Sequence, residues 1–402
     1  MDALPSFVMK IEMGGIGVLP DLEINLEGMV VIAGINGTGK STILKTIYSV
    51  LGRAADYDDI VDTDIRTNLM FLSGRRSSIR RNMSDEDCDF DYDAIIKQLE
   101  ESIETNSPFH GRLESVKQLV YNRDDEKVYG TIIKNSMNRE FGEVEQVRRI
   151  GSDSEAYFNC VDSDLLKCIV DQREKVRFHG EFRNVPRVVY YDSPFNADSV
   201  YDSSRTMIFA GYKYHNHRSM LASFLEMDGD TDIISSDMND SNLEAFDSAV
   251  EQAIGGKFVK TERGLRYRTH DGADLNIQNV AAGAKVFAII RKLVDNGTIT
   301  RGSILMLDEP EVHLHPLWIN VLAECLKIMV HRIGVRVILT THNPQLLMAL
   351  ESDAKDGGMT RFYHLVRNQN GEISFDDVTA DLRPVYDEMS SPIQDIASRF
   401  WE

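Results

Sequence analysis

Three glycines, a lysine and a serine fall within Gly34-Ile35-Asn36-Gly37-Thr38-Gly39-Lys40-Ser41, at the spacing of a phosphate-binding P-loop. The apolar run Met29-Val30-Val31-Ile32-Ala33 precedes them and Thr42-Ile43-Leu44-Lys45-Thr46-Ile47 follows, so the strand, turn and helix of such a loop are all present. Glycine lets the backbone wrap close to an anion, so the N–H groups of Asn36, Gly37, Thr38 and Gly39 and the helix start at Lys40, Ser41 and Thr42 face phosphate. Lys40 reaches the β- and γ-phosphates, and Ser41 offers its hydroxyl to Mg²⁺. Such a loop needs a carboxylate on a neighbouring strand to hold Mg²⁺ through water, and Asp308 at the end of Ile304-Leu305-Met306-Leu307 supplies one. Glu309 is the natural general base for water attacking the γ-phosphate. His342, in Thr340-Thr341-His342-Asn343-Pro344, follows the next apolar run and is placed to bond the γ-phosphate and sense its loss.

These residues must be brought together by a sheet. Asp308 and Glu309 end one buried strand and His342 follows another, at the edge where open α/β sheets bind ligands. Upstream, Phe7-Val8-Met9-Lys10-Ile11 and Leu22-Glu23-Ile24-Asn25-Leu26 alternate as two antiparallel strands, and the helix after the loop is expected to end near Gly52. Residues 55–90 read as an irregular excursion, 119–133 as a hairpin, and 161–177 as a helix with a stripe of Leu165, Leu166, Ile169 and Val170. Arg187-Val188-Val189-Tyr190-Tyr191 is a buried strand, 218–255 two or more helices, and 258–268 a second hairpin. Residues 283–295 and 317–332 read as helices, and 303–307 and 335–340 as buried strands.

The chain has 402 residues, a formal net charge of −20, 42% hydrophobic and 27% charged residues, which suits a soluble α/β domain with insertions or two domains. The acidic balance excludes a surface that binds nucleic acid throughout. Two basic segments, 75–81 and 212–218, read as solvated loops, with a local nucleic-acid contact as the alternative. Cys88, Cys160, Cys168 and Cys325 form no CxxC pair, so neither a zinc site nor a disulfide framework is expected, and a reducing compartment is. The N-terminus lacks the pattern of a signal peptide and no apolar run is long enough for a bilayer, so a cytoplasmic protein with no membrane partner is expected.

The run Ile304-Leu305-Met306-Leu307-Asp308-Glu309-Pro310-Glu311-Val312-His313-Leu314-His315-Pro316 resembles the extended Walker B and D-loop of ABC-type ATPases of the SMC/RecF/OLD group. Residues 34–42 resemble the Walker A of that group, and Thr341-His342-Asn343-Pro344 its H-loop. Stand-alone AAA-family ATPases of bacterial anti-phage and toxin-like systems look similar. The resemblance implies an α/β fold: a P-loop NTPase of ABC-ATPase head type, with an antiparallel β subdomain and helical insertions. It divides the chain into an N-lobe with Walker A (1–52), a mixed α/β insertion (53–185), a Q-loop-like strand and helical subdomain (186–256) and a C-lobe with the remaining motifs (257–402).

The resemblance also implies ATP and Mg²⁺ as ligands, and a homodimer or higher homo-oligomer in which two heads sandwich two ATP molecules. The signature position is then Asn279-Val280-Ala281-Ala282-Gly283-Ala284-Lys285, with Gly283 suited to contact phosphate in trans. Ala282 stands where the family carries serine, and Lys285 is the candidate compensating charge. Asp192, in Asp192-Ser193-Pro194, stands where a Q-loop glutamine is expected and is a candidate contact to Mg²⁺ or its water. His313 and His315 more plausibly organise the dimer contact than bind metal. Nothing resembles a TOPRIM-type nuclease, so the implied role is an ATP-gated sensor or clamp that controls a separate effector, a nuclease or toxin, in bacterial defence. Two alternatives stay open: a RecF-like DNA-repair ATPase that holds DNA directly, and a low-turnover, nucleotide-stabilised scaffold.

Overall fold

A parallel sheet buried on both faces organises the chain, as seen in a computed structural model that describes residues 8–74, 91–105, 107–149, 154–161, 165–199, 216–227, 240–251, 253–262, 264–355 and 357–400. Its strands are β3 (Met29–Ala33), β7 (Val188–Tyr191), β11 (Ile304–Asp308), β12 (Arg336–Thr341), β13 (Thr360–Arg367) and β14 (Ile373–Asp377), in the order β14-β13-β3-β12-β11-β7. All neighbours pair in parallel except β14, which runs antiparallel to β13 at one edge. Every residue of β3 and β7 is buried, as expected of near-continuous apolar strands covered on both faces.

Alternation along these strands feeds two separate cores. Val31, Val189, Leu305, Leu307, Val337 and Leu339 face a layer built on α8 (Ala282–Asp295), α9 (Pro316–Ile328) and α10 (Pro344–Lys355). Val30, Ile32, Tyr190, Ile304, Met306 and Ile338 face the other way, toward α1 (Lys40–Leu51) and an antiparallel sheet. That sheet joins β1 (Met9–Gly14) and β2 (Leu22–Leu26) to β4 (Ala156–Val161), β5 (Leu165–Val170) and β6 (Val176–Gly180), in the order β2-β1-β4-β5-β6. The far end of the 53–185 stretch thus completes a sheet begun at the N-terminus. A small sheet of β8 (Gly256–Thr261), β9 (Gly264–Thr269) and β10 (Asp274–Leu275) precedes α8. The helices α6 (His217–Glu226) and α7 (Asp240–Glu251) occupy the helical stretch read at 218–255, and α11 (Arg383–Phe400) closes the described chain.

Three expectations for the 53–185 stretch are corrected. Residues 57–73 form helix α2 (Tyr57–Ser73), with Asp58 and Asp59 in the first turn and Val61, Ile65, Leu69 and Leu72 buried along one face. Residues 75–90 lie outside the described residues. After α3 (Tyr92–Glu100), residues 119–133 span the end of α4 (His110–Tyr121) and the start of α5 (Asp125–Phe141) instead of a hairpin. The polar turn is a helix start: the Asp124 carboxylate caps α5 by accepting from Lys127 N–H, and Tyr129, Ile133, Met137 and Glu140 are buried at helical spacing. Residues 165–180 are the strands β5 and β6, because Leu166, Cys168 and Val170 bury every second residue against β4. The Asp171 carboxylate accepts from the N–H groups of Arg173 and Lys175 and fixes the turn between them.

Helices α2 and α5 share the second core through Tyr57 and Tyr129. The Tyr129 ring stacks on Phe182 at 4.1 Å, and the Tyr129 hydroxyl donates to the Val50 carbonyl in the last turn of α1 at 2.7 Å. Tyr57 packs edge-on against the same Phe182 and donates to Asp125 at 2.6 Å. Among the described residues no helix is long and apolar enough to cross a membrane. Tyr129→Phe is expected to cost about 1 kcal/mol for the lost buried hydrogen bond, and Tyr129→Ala about 3–5 kcal/mol. Urea denaturation measures both, and an unchanged midpoint for the alanine variant would refute a shared core.

Candidate functional site

The loop between β3 and α1 is shaped by glycines in conformations that other residues rarely adopt. Gly34 (φ 154°) presses against the Leu365 carbonyl, 2.4 Å from where a Cβ would sit. Gly39 (φ 103°) is the left-handed residue before α1, and a Cβ there would meet Leu19 at 2.6 Å. Thr38 turns inward, fully buried, and its hydroxyl donates to the Ile35 carbonyl at 2.9 Å. Arg367, at the end of β13, donates to the Gly37 carbonyl at 3.0 Å.

Parallel register then fixes the opposing groups. Ala33 is level with Thr341, and Thr340 with Asp308, so three strand ends deliver Lys40, Glu309 and His342 to one edge. Lys40 is 4% exposed; its ammonium donates to the carbonyls of Gly34 (2.8 Å) and Ile35 (3.1 Å) and lies 3.2 Å from Glu309 Oε1. The same Glu309 oxygen is 3.0 Å from His342 Nδ1. One carboxylate therefore touches both groups assigned to a γ-phosphate. Glu309 holds this place with φ 46°, a left-handed conformation costly for a side chain with a Cβ, and its N–H donates to the Thr340 carbonyl and hydroxyl at 3.1 and 3.2 Å. Asp308 is braced from both sides, accepting from Tyr190 at 3.2 Å and from Thr340 Oγ1 at 2.5 Å.

A cavity of about 500 Å³ opens over these residues, lined by Asn36, Gly37, Gly39, Lys40, Ser41, Thr42, Asp192, Asp308 and Glu309, with Val18 and His313 among its other walls. A buried ammonium, a hydroxyl and a braced carboxylate on one cavity suit a polyphosphate carrying Mg²⁺. Asp192 is present but already engaged. Arg218 donates to Oδ2 from Nε (2.9 Å) and Nη2 (2.6 Å), His217 Nε2 is 2.9 Å from the same oxygen, and Asn196 donates to Oδ1 at 2.6 Å. Burial opposes its ionisation, but His217 and these donors outweigh it and hold the carboxyl far below the usual range. Arg218, expected in a solvated basic loop, is thus committed to the pocket wall. Residues 75–81 and 212–215 lie outside the described residues.

The signature residues do not join this cavity. Lys285 is 1% exposed and donates to Asp198 at 2.7 Å, so the expected compensating charge is turned into the 194–199 segment. Gly283 brings α8 close to the D-loop and to α9: a Cβ would lie 2.9 Å from the His313 carbonyl and 2.8 Å from the Trp318 ring. Ala281 gives α8 no side-chain cap. His315 caps α9 by accepting from Leu317 N–H at 3.3 Å, while His313 packs edge-on against Phe195. Among the described residues no cluster of His, Cys, Asp or Glu could hold a metal unaided.

Four contributors escaped the sequence reading. Tyr190 and Thr340, which orient Asp308, looked like strand filler, although polar atoms one or two residues from a strand end were the available signal. Glu311 is 3% exposed, and burial pushes its carboxyl up despite the hydroxyl of Thr341 donating to it. His217 lies buried between Glu140 and Asp192; burial disfavours its charge, but the two carboxylates prevail and favour the imidazolium.

A glycine cradle facing two strand-end carboxylates across a parallel sheet is the fold of a P-loop nucleotide-binding domain. Residues 29–349 match the family described as "AAA domain, putative AbiEii toxin, Type IV TA system", and the chain belongs to that family. The matched family is one of AAA domains. Similar solved structures include the SMC head domain from Thermotoga maritima (13% identity, TM-score 0.40, covering 92% of this chain and 98% of that one). An Smc head bound to the C-winged helix domain of ScpA is 12% identical, with TM-score 0.46 and coverage of 94% and 99%. An Smc head with an extended coiled coil, bound to the C-terminal domain of ScpA derived from Pyrococcus furiosus, is 11% identical, with TM-score 0.44 and coverage of 98% and 100%. No curated protein matches.

Gly283→Ala tests the packing of α8 on the D-loop. The added methyl must displace Trp318 or the His313 carbonyl, an overpacking cost of about 1–3 kcal/mol. A chemical-denaturation midpoint equal to that of wild type would rule out the close approach.

Proposed function

We propose that the chain binds MgATP on residues 36–42 and hydrolyses it with Glu309 as general base, in a dimer that gates a separate effector. The observation that carries this reading is the single Glu309 oxygen shared by Lys40 and His342, beside Asp308. Lys40 and the loop amides bind the phosphates, and His342 contacts the γ-phosphate. Ser41 and Asp308 hold Mg²⁺, which when bound neutralises charge on the phosphates. Asp192, saturated by its protein partners, shapes the wall beside them. In the chemical step, water attacks the γ-phosphorus, its proton passes to Glu309, and the bond to the ADP oxygen breaks. Nucleotide would then be released and the cycle reset.

Completion by a second copy is supported by the exposed rim of this face. Phe195, Val312 and Leu317 are 51%, 54% and 69% exposed around the D-loop and the 194–199 segment. The α8 N-terminus, at Gly283, would meet the partner's ATP. The family description, a putative toxin of a Type IV TA system, supports a place in a toxin-type system; the effector gated by this dimer would be a nuclease or toxin of a cytoplasmic defence system. A low-turnover scaffold is the second reading, favoured by Ala282 in the signature and by the burial of Lys285 against Asp198. No described residue favours direct DNA binding over these.

Lys40→Ala is expected to abolish MgATP binding measured by calorimetry, and retained micromolar affinity would overturn the loop assignment. Glu309→Gln is expected to slow hydrolysis about 100-fold or more and to trap an ATP-bound dimer visible by light scattering. Wild-type turnover no faster than that of the glutamine variant would leave the scaffold reading. A strictly monomeric variant under saturating MgATP would dismiss the sandwich.

A further inference from the structure

The inserted helices and the nucleotide pocket meet at one buried side chain. His217, 4% exposed at the start of α6, has carboxylates from two different elements on its two ring nitrogens. Glu140, in the last turn of α5, grips it twice: the His217 backbone N–H donates to Oε1 at 2.8 Å, and Nδ1 lies 2.6 Å from Oε2. That double contact sets the plane of the ring. Nε2 then lies 2.9 Å from Asp192 in the pocket wall. The ring face stacks on Tyr190 at 4.2 Å, and Tyr190 donates to Asp308. Tyr48 of α1 closes the site edge-on at 6.0 Å. A filler histidine satisfies its own nitrogens; this one joins α5, β7 and the pocket wall.

We propose that His217 is a positioning residue that couples α5 of the inserted arm to the nucleotide site, holding Asp192 directly and Asp308 through Tyr190. This rests on the ATPase reading above. A shift of α5 moves the Glu140 clamp, tilts the imidazole, and loosens its contacts to Asp192 and to Tyr190, one of the two donors to Asp308. Lys40, which would meet the phosphates, is held by Gly34, Ile35 and Glu309 and not by His217. The coupling is reciprocal, so whatever grips the arm and whatever fills the pocket act on each other through this ring.

Steady-state hydrolysis and MgATP binding by the full chain test the proposal in wild type, Lys40→Ala, Glu140→Gln, His217→Gln, the Glu140→Gln/His217→Gln double variant and Tyr190→Phe. His217→Gln is expected to lower kcat about 10- to 100-fold with KM for ATP within about threefold, since orientation is lost and phosphate binding is kept. Glu140→Gln shifts kcat the same way, and the double variant is no worse than His217→Gln alone. An unchanged kcat, a rise in KM alone, or additive losses overturn the proposal. If His217→Gln does not fold, Glu140→Gln and Tyr190→Phe decide: both lower kcat at constant KM, or the coupling is absent. Wild-type turnover equal to that of Lys40→Ala removes the ATPase reading and this proposal with it. Normal wild-type turnover with an unaffected kcat in His217→Gln removes only the proposal.

Discussion

The parallel register of β3, β12 and β11 is the constraint on which the site depends. Ala33 pairs with Thr341 and Asp308 with Thr340, so the glycine loop, the acidic pair and His342 leave the sheet at one edge. Both faces of these strands are buried, which makes the register hard to move. A slip of one residue would send Val31 and Leu307 into the wrong core and turn Asp308 away from Thr340. The chemistry of the site is in this sense a consequence of hydrophobic packing several residues away.

That edge concentrates charge at a cost the surroundings offset. Lys40 is buried and surrounded by acceptors, two carbonyls and Glu309, so its charge is never left unpaired. Glu309 adopts a backbone conformation that disfavours side chains, and two bonds from its N–H to Thr340 hold it there. Asp308 and Asp192 are each fixed by several donors, leaving the Ser41 hydroxyl and the loop amides as the adaptable part of the pocket. The antiparallel sheet and helix α5 back this wall, Tyr129 bonding to α1 and Glu140 to His217.

Local patterns were legible in the sequence and tertiary ones were not. Gly34, Gly37 and Gly39 before Lys40, and the apolar run ending at Asp308, carry their own geometry, so the loop, the buried strands and the acidic pair could be read directly. The 119–133 segment misled because Val128, Ile132 and Ile133 suit a strand until Tyr129, Met137 and Glu140 are seen buried on one helical face. The 165–170 segment misled in the opposite sense, since its apolar residues fit helical spacing and only pairing with β4 selects alternation. Lys285 is a charge in a motif by sequence but a buried partner of Asp198 by packing, and His217 gains meaning only from Glu140 and Asp192. Each of these depends on residues distant in the chain.

Amide hydrogen exchange, followed with and without MgATP over a range of protein concentrations, tests the central claim of a nucleotide site finished by a second copy. Protection of residues 36–42 is expected at every protein concentration, and protection of D-loop residues 311–315 only as concentration rises. Unchanged exchange at residues 36–42 under saturating MgATP would contradict the nucleotide site itself. D-loop protection independent of protein concentration would contradict its completion by a second chain.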